Sequence, residues 1–274
     1  MRHPRIPPGV DDVPGLLRML LAQDPGGPRV TWYGPGAERV ELSAKVLDNW
    51  VAKTANLLVD ELDVGPASTV LIDLPAHWRT AVWLLATWSA GACAVVPAPG
   101  STTDAAPDVL VTTDPRGHVL APTTRGVAVA LPALAVRFPG DPGELPPDWI
   151  DAAVEVRGFG DVFVQPVAPA AGDPALVAAG CPAVPHAGLL TAAAEQAEAL
   201  ALPDGVRLLT CAGPAQAPAT LLAPLLLGGS VVLHHDPAVV ADGGTGPAAD
   251  IRRQLVDQER ITAVLPDEPV DDRR

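Results

Sequence analysis

The most constraining stretch of this sequence lies between Thr69 and Val96. Residues 69–74 (TVLIDL) are almost continuously apolar, as are 93–96 (CAVV), and the segment between them, 77–89, is about three helical turns long. Gly91 stands where a helix C-cap is wanted. Strands that lose their polar alternation are buried on both faces, and two such strands separated by a helix make the crossover unit of a parallel sheet. The class that follows is α/β, with layered parallel sheets flanked by helices.

The same rhythm extends in both directions. Residues 15–21 predict a short helix, ended by Asp24-Pro25-Gly26-Gly27-Pro28. Residues 29–33 alternate as a strand with a hairpin partner at 38–42, and a helix over 44–61 begins at Ser43 as N-cap. Later strands are expected at 175–179, 206–211, 230–234 and 261–265. Helices are expected at 188–200, at 217–227 with Pro218 and Pro224 interrupting, and at 248–259. Between 97 and 172 the pattern weakens: short strands at 108–112 and 126–131, and one at 161–165 placed at a sheet edge. The organisation expected is a tail and short helix over 1–28, an α/β lobe over 29–100, a loose Pro/Gly-rich middle over 101–172, a second lobe over 173–265 and a tail over 266–274.

Charge narrows the function. The 274 residues carry 18 lysines and arginines against 32 aspartates and glutamates, for a net charge of −14. No clustered basic surface is present, which argues against nucleic acid and against an anionic membrane. No apolar run reaches membrane-spanning length, and the N-terminus lacks the pattern of a secretory signal. With 48% hydrophobic residues the chain can form a core despite 25 glycines and 32 prolines. Cys93, Cys181 and Cys211 are far apart and form no metal knuckle, which fits a reducing, cytoplasmic setting.

No chemical motif is complete: there is no dinucleotide fingerprint, phosphate-binding P-loop, nucleophile elbow or zinc-protease helix. Hence no catalytic residue, metal or cofactor is assigned. Three local features remain. The loop with Gly180, Cys181 and His186 connects a strand to a helix, where an anion can sit on the helix N-terminus. However, Pro182 and Pro185 remove N–H donors and no lysine or arginine is present. Cys181 and His186 are five apart, but sequence proximity does not make a nucleophile–base pair. His234 and Asp236 end a strand on one face while His235 points away, a weak ligand or metal candidate. Trp78, Trp83 and Trp88 share one helix whose only cation is Arg79; this reads as packing.

In their order, four stretches resemble the N-terminal region of the adenylate-forming superfamily, which includes acyl-CoA synthetases and peptide-synthetase adenylation domains. They are Arg39-Val40-Glu41-Leu42-Ser43 with the following helix; Leu62-Asp63-Val64-Gly65-Pro66 with 69–74; 78–90 with Gly91-Ala92-Cys93-Ala94-Val95-Val96-Pro97; and Leu222-Ala223-Pro224-Leu225-Leu226-Leu227-Gly228-Gly229-Ser230-Val231-Val232-Leu233. The resemblance implies a Ser/Thr/Gly-rich phosphate loop ending in Pro-Lys-Gly after Asp173-Pro174-Ala175-Leu176, then a His-led helix. His186 with 189–194 resembles that helix, but 177–185 is too short by about eight residues and lacks Ser, Thr and Lys. The ribose-binding acidic residue and the C-terminal lid domain have no counterpart before residue 274. The expectation is a truncated, degenerate relative without intact catalytic parts, holding a binding or regulatory role whose partner is unknown. Two alternatives stay open: an acyl-activating enzyme with a remodelled or partner-supplied site, and a structural subunit of a homo- or hetero-oligomer.

Overall fold

The computed structural model describes residues 6–98, 106–140, 145–146, 148–241 and 246–266. Helix α1, Val13–Gln23, starts at Asp12, whose carboxylate accepts from the Gly15 N–H at 2.7 Å. Strands β1 (Pro28–Tyr33) and β2 (Arg39–Ser43) form the expected antiparallel hairpin, with Thr31 opposite Glu41 and Tyr33 opposite Arg39. Ser43 caps α2, Ala44–Asn56, as the sequence predicts. Over Leu57–Glu61 the helix widens into a π turn, and both Leu57 and Leu58 are fully buried there.

The crossover unit follows as β3 (Thr69–Asp73), α3 (Trp78–Ser89) and β4 (Cys93–Val96). The middle region supplies β5 (Val109–Thr112), β6 (Arg125–Ala128), β7 (Trp149–Asp151) and the short α4 (Ala152–Glu155). Strands β8 (Pro174–Ala178) and β9 (Val184–Pro185) lead to α5, Leu189–Ala199. The chain continues through β10 (Arg207–Thr210), α6 (Ala223–Leu226), β11 (Ser230–His234), α7 (Pro237–Val240), α8 (Pro247–Gln258) and β12 (Ala263–Leu265). Ahead of α6, Pro218–Leu222 form a second π turn, so both prolines mark the interruption expected there.

Two sheets result, a five-stranded one in the order β12-β10-β11-β1-β2 and a seven-stranded one in the order β7-β6-β5-β3-β4-β8-β9. Every pairing is parallel except β1 with β2 and β8 with β9. The seven-stranded sheet is built from the continuous run β3 to β9, in which β8 pairs with β4, whereas the five-stranded sheet joins β1 and β2 to β10–β12, with β1 beside β11. Helix α3 packs against β1 of one sheet and β3 and β4 of the other, and all twelve of its residues are buried. A helix apolar all round is what such a central position requires. Its three tryptophans fill that layer, and the Trp88 indole donates to the Ala175 carbonyl at 2.8 Å, joining α3 to β8.

One expectation fails locally, and one strand appears that was not expected. Residues 161–165 form no strand: Phe163 packs on the core, but the Gly160 and Val162 carbonyls accept from Asn56 Nδ2 at 3.0 Å instead of from a neighbouring strand. Strand β7 was not anticipated, because its three residues sit in a proline-rich stretch and only Trp149 is buried. Among the described residues no helix is long and apolar enough to cross a membrane.

Candidate functional site

The hairpin of β8 and β9 is where the resemblance places a phosphate loop. Leu176 faces Val184 and Pro174 faces Pro185, so the connection is a short turn over 179–183. The Ala179 N–H donates to the Val96 carbonyl at 3.2 Å, and the Cys181 N–H turns back to Ala178 at 3.1 Å. Gly180 has φ +75°, a conformation that favours glycine. Two of the turn's N–H groups are therefore spent on the fold and Pro182 has none, so no row of free donors is left to cradle an anion.

Cys181 is exposed at this turn. His186 lies beyond the far end of β9, where its N–H donates to the Asp173 carbonyl at 2.9 Å. The hairpin thus separates the two residues along its length instead of pairing them. The His186 ring packs against the backbone of Gly91 and Ala92, its Nε2 makes no hydrogen bond, and burial lowers its pKa. It is neutral at neutral pH, and contributes no charge for a phosphate. It lines a cavity of about 220 Å³ together with Trp88, Gln165, Asp11 and Asp12, and the two aspartates disfavour anions there.

At the end of β11, His234 Nδ1 accepts from the Asp236 N–H at 3.0 Å. The Asp236 carboxylate turns away to cap α7, accepting from the Ala238 N–H at 2.9 Å. The two side chains are therefore engaged separately. The His234 ring is buried, stacks on His235 at 4.9 Å between centroids, and has its pKa lowered by burial. Among the described residues no group of three or more His, Cys, Asp or Glu could hold a metal ion.

The densest polar cluster was not singled out in the sequence. On the outer face of the five-stranded sheet, Arg207 of β10 binds Glu259, donates to Ser230 Oγ at 3.0 Å and to Thr31 Oγ1 at 3.1 Å. Arg39 of β2 donates to Glu259 at 2.9 Å and to Glu41 at 2.6 Å, and Tyr33 donates its hydroxyl to Glu259. Burial alone would raise the Glu259 pKa, but hydrogen bonds from Tyr33, Arg207 and Arg39 hold it below the ordinary value. Tyr33 is raised, first by burial and then by Glu259. The alternation Arg39-Val40-Glu41 was the available signal, since it puts both charges on one face of β2. Every member has partners, so the cluster locks α8 to the sheet and leaves no vacant ligand position.

No protein-family model matches the chain. A Mycobacterium tuberculosis protein described as a TIGR03089 family protein is 42% identical over 153 residues, which is 54% of this chain and 60% of that protein. The match spans less than two thirds of that relative. Among solved structures, the Brucella canis acyl-CoA synthetase superposes with a TM-score of 0.69 at 16% identity, covering 90% of this chain and 46% of that one. The nonribosomal peptide synthetase FmoA3 gives 0.65 at 17% identity, covering 92% and 25%. The chain has the α/β fold of the N-terminal part of adenylate-forming enzymes.

Proposed function

We propose that this chain is a noncatalytic binding or regulatory protein built on the adenylate-forming fold, and that it neither binds nor activates nucleotide at the β8–β9 hairpin. One observation carries this reading: the turn over 179–183 is too short, too committed to its own hydrogen bonds and too poor in cations for a triphosphate. The neutral, half-buried His186 supports it. A cytoplasmic location belongs to the same reading, supported by cysteines that are few and far apart in the sequence. Calorimetry of the full chain with ATP and Mg²⁺ is expected to give no binding heat, and micromolar affinity would overturn the proposal. Acyl-dependent pyrophosphate exchange is expected to stay at background.

A second reading, a subunit of a homo- or hetero-oligomer, is favoured by a separate feature. Val162, Val164 and Val167 are exposed along one extended segment that pairs with no strand. Sedimentation across a concentration series tests it. Association with rising concentration supports it, and a monomer throughout counts against it.

A further inference from the structure

A buried cation that forms no ion pair with a described carboxylate sits at the start of α3. Arg79 is the second residue of that helix and is 7% exposed. Its guanidinium carbon lies 4.3 Å from the centre of the Trp78 ring and 5.9 Å from that of Trp50. Its Nε makes no hydrogen bond, and neither does the indole Nε1 of Trp78 or of Trp32, although all three atoms are buried. These side chains form one cluster. His77, which caps α3 by accepting from the Arg79 N–H at 3.0 Å, touches Trp32 with ring centres 4.1 Å apart and lies 5.7 Å from Trp78.

The surrounding electrostatics have the wrong sign for an isolated arginine. The N-terminus of a helix is its positive end, and α3 has no acidic residue in its first turn. Arg157 repels the Arg79 charge, and burial together with that repulsion lowers the Arg79 pKa to about 10. Asp151 is the one attracting carboxylate. Its two oxygens already accept from the N–H groups of Phe138 at 2.7 Å and Ala153 at 2.9 Å. Among the described residues no carboxylate forms an ion pair with Arg79. A buried charge with an unmet Nε, stacked on Trp78 whose own indole N–H is unmet, calls for an acceptor, and the unmet Trp32 indole joins the pair through His77.

We infer that the N-terminal end of α3 binds a small oxyanion, a carboxylate or a phosphate, held by Arg79 with the Trp32 and Trp78 indole N–H groups beside it. Arg157, exposed and tied to the Ala135 carbonyl at 2.9 Å, adds long-range attraction. Trp50, half-buried, forms the flank nearest solvent. Such a site combines a planar donor fork with a helix N-terminus, two features that favour oxyanions in a chain that is otherwise strongly acidic.

Indole ¹H–¹⁵N signals of the full chain report directly on the donors. Sodium phosphate and sodium acetate are titrated separately, with chloride keeping ionic strength constant. The Trp32 and Trp78 signals are expected to shift saturably with one or both anions, and the anion that acts identifies the class. Trp88, whose indole already donates to Ala175, serves as the internal control. Arg79→Met is expected to abolish the saturable shift. Arg79→Lys, which keeps the charge but loses the fork, weakens binding about tenfold, and Arg157→Gln weakens it about two- to fivefold. The inference is overturned if neither anion produces a saturable shift, if Trp88 moves in parallel, or if a folded Arg79 variant binds as the parent does.

Discussion

Arg207 and Glu259, one on a strand and the other just beyond the C-terminus of α8, form an ion pair on the outer face of the five-stranded sheet, with 13% and 9% of their side chains exposed. Tyr33, Arg39 and Thr31 complete the ring of contacts around them. Removing one partner strands the other charge in a poorly solvated place. Glu259→Gln is expected to destabilise the fold by about 1–3 kcal/mol, somewhat below the cost of a fully buried pair because water reaches Arg39 and Glu41. Urea denaturation measures it. The Glu259 pKa is lowered in the fold, so its contribution is complete above the ordinary glutamate range. It is lost as pH falls through the lower folded-state value. The variant's acid limb is expected to be shallower than the parent's.

His77 predicts a second pH effect at a different range. Its Nδ1 caps α3 and its Nε2 meets the Leu131 carbonyl at 3.0 Å, and burial followed by the Arg79 charge lowers its pKa to about 3. The unfolded chain takes up a proton near the ordinary histidine value while the folded chain does not. Stability therefore declines as pH falls from about 6.5 towards 3. Asparagine retains N-cap capacity without titrating. His77→Asn is expected to remove this part of the decline, seen by comparing unfolding free energies of the two chains across that window.

Gly91 follows α3 with φ +82°, and a Cβ there would meet Pro169 at 3.1 Å and Gln165 at 3.2 Å. Gly91→Ala combines an unfavourable backbone with a tight contact. A loss of about 1–2 kcal/mol is expected from thermal or denaturant unfolding. An unchanged midpoint would show that the 165–169 segment yields without cost.

The thiols differ in access. Cys181 is exposed on the β8–β9 turn, whereas Cys93 is buried in β4 with its pKa raised by burial. Brief alkylation of the native protein, read by peptide mass spectrometry, is expected to label Cys181 and leave Cys93 unmodified until denaturant is added. Early labelling of Cys93 would contradict the placement of β4 inside the sheet.

The fold was legible where side-chain period and punctuation agreed. Residues 69–96 announced a crossover unit, and Ser43 and Gly91 marked helix ends through local chemistry that works within a few residues. The stretch 161–165 had strand-like alternation but lacked what decides a strand, a neighbour offering hydrogen bonds; Asn56 took its carbonyls instead. At the hairpin, the shortage of residues and cations between Ala178 and His186 was visible directly. Of the candidate residues, Cys181 and His186 are held apart by β9, and Asp236 is drawn off as a helix cap.

By itself, the sequence determined the α/β class of the fold and its crossover unit over 69–96, because period, capping and proline act on nearest neighbours along the chain. Tertiary structure alone decided that β1 lies beside β11, that β8 lies beside β4, and that Trp50 joins Trp78 over the Arg79 guanidinium with no described carboxylate in an ion pair with it. Those relationships join residues from distant parts of the chain. They depend on which buried surfaces meet when two sheets close over α3, and no local pattern encodes that meeting.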